Sequence, residues 1–267
     1  MQEVDQALAR AFAQRGKGQH ANVPPAPHLR AVPASPLSSP AIRWPSVVLS
    51  LEKQYGHHFA TAADALIQAR DDDGRKVILF TSCHRAEGRT TLVLTLSRAL
   101  ASRPGRTLLL DADLSSPLLA RQLGFRPEVG LDDVIEHGRA LADALIEVPE
   151  QRLWLLPLRT AIAHPRAFLA NPAWPCTLAR LRREFDLVLI DGGPMFAGLS
   201  AALLHRSVDA AVLVYHRSIT AERGIIRATE VLNAAGIPLL GLAETFVLPK
   251  EGVGTGPGST ESKSHVA

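Results

Sequence analysis

Six apolar runs in this chain lack the polar alternation of a strand with one wet face. They are KVILFTS (76–82), RTLLLDA (106–112), RLWLLPL (152–158), FDLVLID (185–191), DAAVLVYH (209–216) and IPLLGLAETF (237–246). Continuous runs of this length fit strands covered on both faces, as in a parallel sheet. Helical segments lie between them: RTTLVLTLSRALASR, SSPLLARQLG, LDDVIEHG, residues 166–183 and ITAERGIIRATEVLNAAG. A further helix, VVLSLEKQYGHHFATAADALIQAR, precedes the first strand and is broken by DDDG. Strands alternating with helices predict an α/β fold of three layers, a mostly parallel central sheet flanked by helices.

The ends read differently. Residues 1–15 place Val4, Leu8, Ala11 and Phe12 on one side of a candidate docking helix. Residues 16–45 are rich in proline, serine and alanine without a period, and are read as a disordered linker. The folded domain is expected over 46–248, with a polar, glycine-rich tail over 249–267. A net charge of +3 gives no case for nucleic-acid binding. Two cysteines, Cys83 and Cys176, cannot build a disulfide framework and fit a reducing cytoplasm. Neither a signal peptide nor a run approaching ~18 apolar residues is present, so membrane contact is expected to be peripheral or through a partner.

Chemistry concentrates where strands end. In VILF–TSCHRAEGRTT–LVLTLSRALA a strand runs through a glycine-containing loop into an amphipathic helix. Backbone amides from Ala86 through Glu87, Gly88, Arg89, Thr90 and Thr91 would face a phosphate at the positive end of the helix dipole. Thr90 stands where a hydroxyl ligates Mg2+. The loop departs from G-x-x-x-x-G-K-[ST], since Ser82 replaces or precedes the first glycine and Arg89 replaces lysine. LLLDADLSSP puts Asp111 and Asp113 at the end of the next strand, the edge where open parallel sheets bind ligands. They are candidates for Mg2+ binding or for acting on an attacking oxygen, while Asp113 is equally placed to cap the following turn. FDLVLIDGGP ends a buried strand on Asp191, where a Walker B carboxylate sits.

Together these elements resemble the cytoplasmic domain of bacterial tyrosine kinases (BY-kinases), and more broadly the deviant Walker-A ATPases that include partition and septum-site proteins. That family reads S-x-x-P-G-E-G-K-[ST]-T, then D-x-D, then D-T-P-P; this chain reads SCHRAEGRTT, LLLDAD and VLIDGGP. PLLARQLGF with GLDDVIEHG, and RLWLLPL with AHPRAFLANPAW, extend the similarity over about residues 70–247. The resemblance implies a three-layer P-loop NTPase fold, binding of ATP or ADP with Mg2+, and a role in capsule or exopolysaccharide synthesis. It implies Asp111, Asp113 and Arg89 as catalytic residues, and Thr90, Asp111 and Asp191 at the metal. Thr245 stands where the family has an adenine-reading asparagine. The implied partners are a membrane-embedded polysaccharide co-polymerase activator and other copies in a homo-oligomer, with a cytoplasmic place at the inner membrane through that activator.

The chain also departs from the family. Arginine is longer and more planar than lysine, which favours phosphate binding over transfer geometry. Ala86 replaces glycine and is expected at negative φ. Gly192 replaces a threonine near the metal, and Ser115 and Ser116 follow D-x-D where arginine is common. Of the family's ring-forming Glu and Arg residues, only Arg70 has a counterpart. The tyrosines are Tyr55 and Tyr215, with none after 215. Three functions follow: a nucleotide-binding BY-kinase-like protein with weak ATPase or kinase activity, a pseudo-ATPase scaffold or regulatory subunit, and a partition-type localisation ATPase.

Overall fold

A computed structural model describes residues 41–148, 151–197 and 207–246. The expected docking helix, most of the expected linker and the tail lie outside the described residues. The order along the chain is α1 (Ser46–Asp73), β1 (Val77–Ser82), α2 (Arg89–Ala101), β2 (Thr107–Ala112), α3 (Leu119–Gln122), α4 (Leu131–His137) and α5 (Leu141–Ala144). Then follow β3 (Ile146–Glu147), β4 (Leu153–Leu156), α6 (Pro165–Ala170), α7 (Ala173–Glu184), β5 (Leu187–Pro194), β6 (Ala210–Tyr215), α8 (Glu222–Ala234) and β7 (Leu239–Glu244).

The strands form one seven-stranded sheet in the order β3-β4-β2-β5-β1-β6-β7. Every pairing is parallel except the antiparallel β3–β4 pair at one edge. The apolar runs are continuous because each face of the sheet has its own core. Val77 and Leu79 of β1, with Val188 and Ile190 of β5, pack toward α4 to α8. Ile78 and Phe80, with Leu187 and Leu189, pack toward α1, α2 and α3. The expected three-layer architecture is therefore the observed one.

Element boundaries differ locally. β5 runs past Asp191 to Pro194, because Ser82 pairs with Pro194 across a register shift. The 166–183 segment is two helices, since Asn171 and Pro172 interrupt it, and Asn171 Oδ1 accepts the amide of Ala173 at 2.9 Å. SSPLLARQLG forms only the single turn of α3, started by Asp111 Oδ2 accepting the Leu119 amide at 3.0 Å. α1 is kinked at Tyr55 (φ −126°, ψ 21°) and ends on Gly74 at φ 68°, whose amide bonds to the Arg70 carbonyl. At the end of the expected linker, the Arg43 amide bonds to the Leu123 carbonyl at 2.9 Å, and Ile42 and Trp44 pack on the core.

The consequence for function lies in β2, β5 and β1 being neighbours. Asp111 is the register partner of Asp191, and Asp191 that of Phe80. Three motifs separated by up to about a hundred residues thus end side by side at the carboxyl edge of the sheet.

Candidate functional site

β1 delivers the chain to the loop with its polar end buried. Thr81 Oγ1 donates to the Gly193 carbonyl at 2.9 Å, and Ser82 Oγ donates to the His84 carbonyl at 2.8 Å. The loop then turns twice through the left-handed region. Gly88, at φ 77°, forms the N-cap of α2; Ala86 sits at φ 62°. The expectation of negative φ at Ala86 is therefore corrected: the turn keeps the backbone of a glycine loop, although the residue carries a Cβ. Among the described residues no side chain caps α2. Apart from the turn over Arg85 and Ala86, the amides of residues 85–91 donate to no acceptor among the described residues. They are open donors at a helix N-terminus, the arrangement that suits an anion.

Glu87 does not face out of this cradle. It is buried, with Oε2 accepting the His84 amide at 2.6 Å and Oε1 accepting the His216 amide at 3.2 Å and the Thr220 hydroxyl. Thr245 Oγ1 donates to the Glu87 carbonyl at 2.7 Å and lies within reach of the Tyr215 carbonyl at 3.1 Å. A Cβ added at Gly88 would meet Phe246 at 3.2 Å and Thr245 at 3.3 Å, so the ends of β6 and β7 lean directly on the loop. The roles of His216 and Thr220 have no sequence signal, because both contacts form across some 130 residues.

The carboxylates are held by Arg89, which is 8% exposed. Its Nε donates to Asp191 Oδ1 at 2.8 Å, one terminal nitrogen to Asp113 Oδ2 at 2.9 Å and the other to Ser82 Oγ at 2.8 Å. Burial disfavours the guanidinium charge, but Asp191 and then Asp113 outweigh it and raise its pKa. Burial raises Asp191 also, against the opposing pull of Arg89 and the Thr90 hydroxyl. Burial pushes Asp111 up to about 8, with the Asp191 charge adding to it and the amides of Leu119 and Asp113 opposing it. Asp113 Oδ1 accepts the Ser116 amide at 3.1 Å and the Ser115 hydroxyl at 3.2 Å, so it both caps the turn and pairs with Arg89. From the outer side Arg85 donates to Ser115 Oγ at 2.9 Å and approaches Asp113 at 4.0 Å.

The expected site residues thus converge, with the open amides of 86–91 above and Arg89, Asp111, Asp113 and Asp191 below. The cradle fits a phosphate. The acidic half already holds a cation: Asp113 and Asp191 each give an oxygen to Arg89, and both oxygens of Asp111 accept backbone amides. Among the described residues no three His, Cys, Asp or Glu side chains are placed to hold a metal ion. The serine missing from the sequence reading was Ser82 as a third arm of this clamp. The sequence carried no signal for it, because the need for a third acceptor arises only from the burial of Arg89, where each guanidinium donor must find a partner.

No family model matches the chain. It is similar to the tyrosine-protein kinase CpsD of Streptococcus pneumoniae, with 26% identity over 171 residues, 64% of this chain and 75% of that protein. Among solved structures, the BceF tyrosine kinase domain superposes with a TM-score of 0.65 at 29% identity, covering 73% of this chain and 80% of that one. The septum-site protein MinD of Pyrococcus horikoshii, complexed with Mg-ADP, gives a TM-score of 0.52 at 26% identity, covering 62% and 68%. The homologues of this chain are bacterial tyrosine-protein kinases, and its structural neighbours are BY-kinase domains together with MinD-like P-loop ATPases.

Proposed function

We propose that this chain is a nucleotide-binding, BY-kinase-like regulatory protein of capsule or exopolysaccharide biosynthesis, in which phosphoryl transfer is suppressed. The observation that carries this is Arg89: at the lysine position of the loop, its guanidinium spans Asp113 and Asp191 while the loop amides stay open. The amides of Ala86 to Thr91 would cradle the β-phosphate of ATP or ADP, with Glu87 and Thr245 holding the loop in shape. The transfer step fares worse. A general base or metal-holding carboxylate must be free to meet the reacting oxygen, and here Asp113 and Asp191 are spent on an internal cation.

Nucleotide state then acts through contacts. Binding at the loop is read at His216 and Thr245, which follow β6 and β7, and at Thr220, which precedes α8. The partner on this reading is a membrane-embedded polysaccharide co-polymerase of the kind the family resemblance implies. Among the described residues no helix is long and apolar enough to cross a membrane.

Calorimetric titration with ADP and with ATP tests the reading, together with phosphotyrosine detection on glycan-assembly enzymes mixed with the chain and ATP. We expect saturable heat with either nucleotide and no phosphotyrosine. Absence of heat and of any thermal shift at millimolar nucleotide would remove nucleotide from the function. Phosphotyrosine on an added enzyme would restore an active kinase.

A further inference from the structure

We infer that Arg89 is a built-in replacement for the divalent cation: it neutralises the Asp113–Asp191 pair from inside the chain, and the loop takes a nucleoside di- or triphosphate without a metal. The buried guanidinium lies between the ends of β2 and β5, joined to both carboxylates and to Ser82 at 2.8–2.9 Å. A hydrated metal ion at these carboxylates would have to displace it. That would leave one buried cation, 8% exposed, without the two carboxylates that offset its burial. Lysine at this position could not play the same part, because one ammonium is a point charge whereas the planar fork reaches three acceptors in different directions. Asp111 does not supply a substitute ligand, since its two oxygens start α3 and hold the Asp113 amide.

The metal half of the inference concerns the chain alone; the nucleotide half rests on the function proposed above. Mn2+ is the probe for the first, followed by electron paramagnetic resonance on the full chain. Wild-type protein is expected to leave Mn2+ free into the millimolar range, and Arg89→Ala to gain one saturable site, roughly tenfold tighter or more. Should Arg89→Ala fail to fold, Arg89→Lys carries the same expectation, since a single ammonium cannot occupy both carboxylates and Ser82. Tight Mn2+ binding by the wild type, or a folded variant that gains none, overturns the inference. The second arm titrates ADP with Mg2+ and then with chelator. Equal affinities support a metal-free site, and tighter binding with Mg2+ overturns it. If ADP binds under neither condition the nucleotide reading fails, while the Mn2+ comparison still decides whether Arg89 excludes the metal.

Discussion

Ala86 holds a backbone conformation, φ 62°, that an L-residue adopts at a cost of about 1–2 kcal/mol. Its neighbours explain why it stays there. The Glu87 side chain and the Thr245 hydroxyl fix the loop on either side of the turn, so the strain is held by the rest of the site. Ala86→Gly relieves it but frees the unfolded chain by part of that amount. The net expectation is a gain of about 0.5–1 kcal/mol, or roughly 2 °C in melting temperature. A melting temperature that falls on substitution would contradict a strained alanine. Cys83, one turn earlier, is fully buried and donates to the Gly224 carbonyl at 3.6 Å. Burial, aided by the Glu87 charge, pushes its thiol up to about 11. Only the thiolate reacts, so alkylation of Cys83 is expected to be slow near neutrality and to rise about tenfold per pH unit up to that value. The exposed Cys176 provides the internal reference in the same sample. Rapid labelling of Cys83 at pH 7, read by mass spectrometry, would mean the loop opens.

At the scale of elements, the end of β5 leaves little room for a side chain at Gly192. A Cβ on Gly192 would lie 2.6 Å from Leu79 Cδ1 and 3.1 Å from the Phe80 carbonyl oxygen. The Phe80 carbonyl belongs to the strand beside it and the Leu79 methyl is packed in the core, so room for a Cβ comes only by displacing one of them. Gly192→Ala is expected to cost about 1–3 kcal/mol by overpacking. At Gly193 the nearest atom to a built Cβ is Asp113 Oδ1 at 3.5 Å, ordinary contact. Gly193→Ala is therefore the control, expected within about 0.5 kcal/mol of wild type. Equal thermal denaturation of the two variants would refute the packing account. The same strands show what a sequence can reveal. The apolar runs and the Asp residues that end them were legible because burial on both faces leaves a local signature. The two-residue β3 was not, since so short an edge strand carries no period. The extension of β5 was hidden too, because its cause is Ser82, more than a hundred residues away in the chain.

At the scale of the whole molecule, the order of motifs was enough to bring the loop and its three aspartates to one sheet edge. It was not enough to show that Arg89 would close upon them, since that depends on side-chain reach across β1, β5 and β2. The same distinction governs the tyrosines. Tyr215 belongs to β6, between β1 and β7, and its hydroxyl donates to Glu244 Oε2 at 3.1 Å, a carboxylate that also meets Arg217 at 2.9 Å. Phosphorylation there would set a dianion against Glu244 and require the strand to leave the sheet to enter another active site. Tyr55 is half-buried at the kink of α1, a helix that packs on α2 through Arg98–Glu52 and Arg103–Asp64 pairs. Neither residue can present an extended acceptor while the fold is intact. After incubation of the full chain with ATP and Mg2+, mass spectrometry is expected to find both tyrosines unmodified, in the wild type and equally in Arg89→Lys. Modification of either tyrosine in Arg89→Lys but not in wild type would mean that Arg89, and not the placement of the acceptors, is what keeps the molecule from phosphorylating itself.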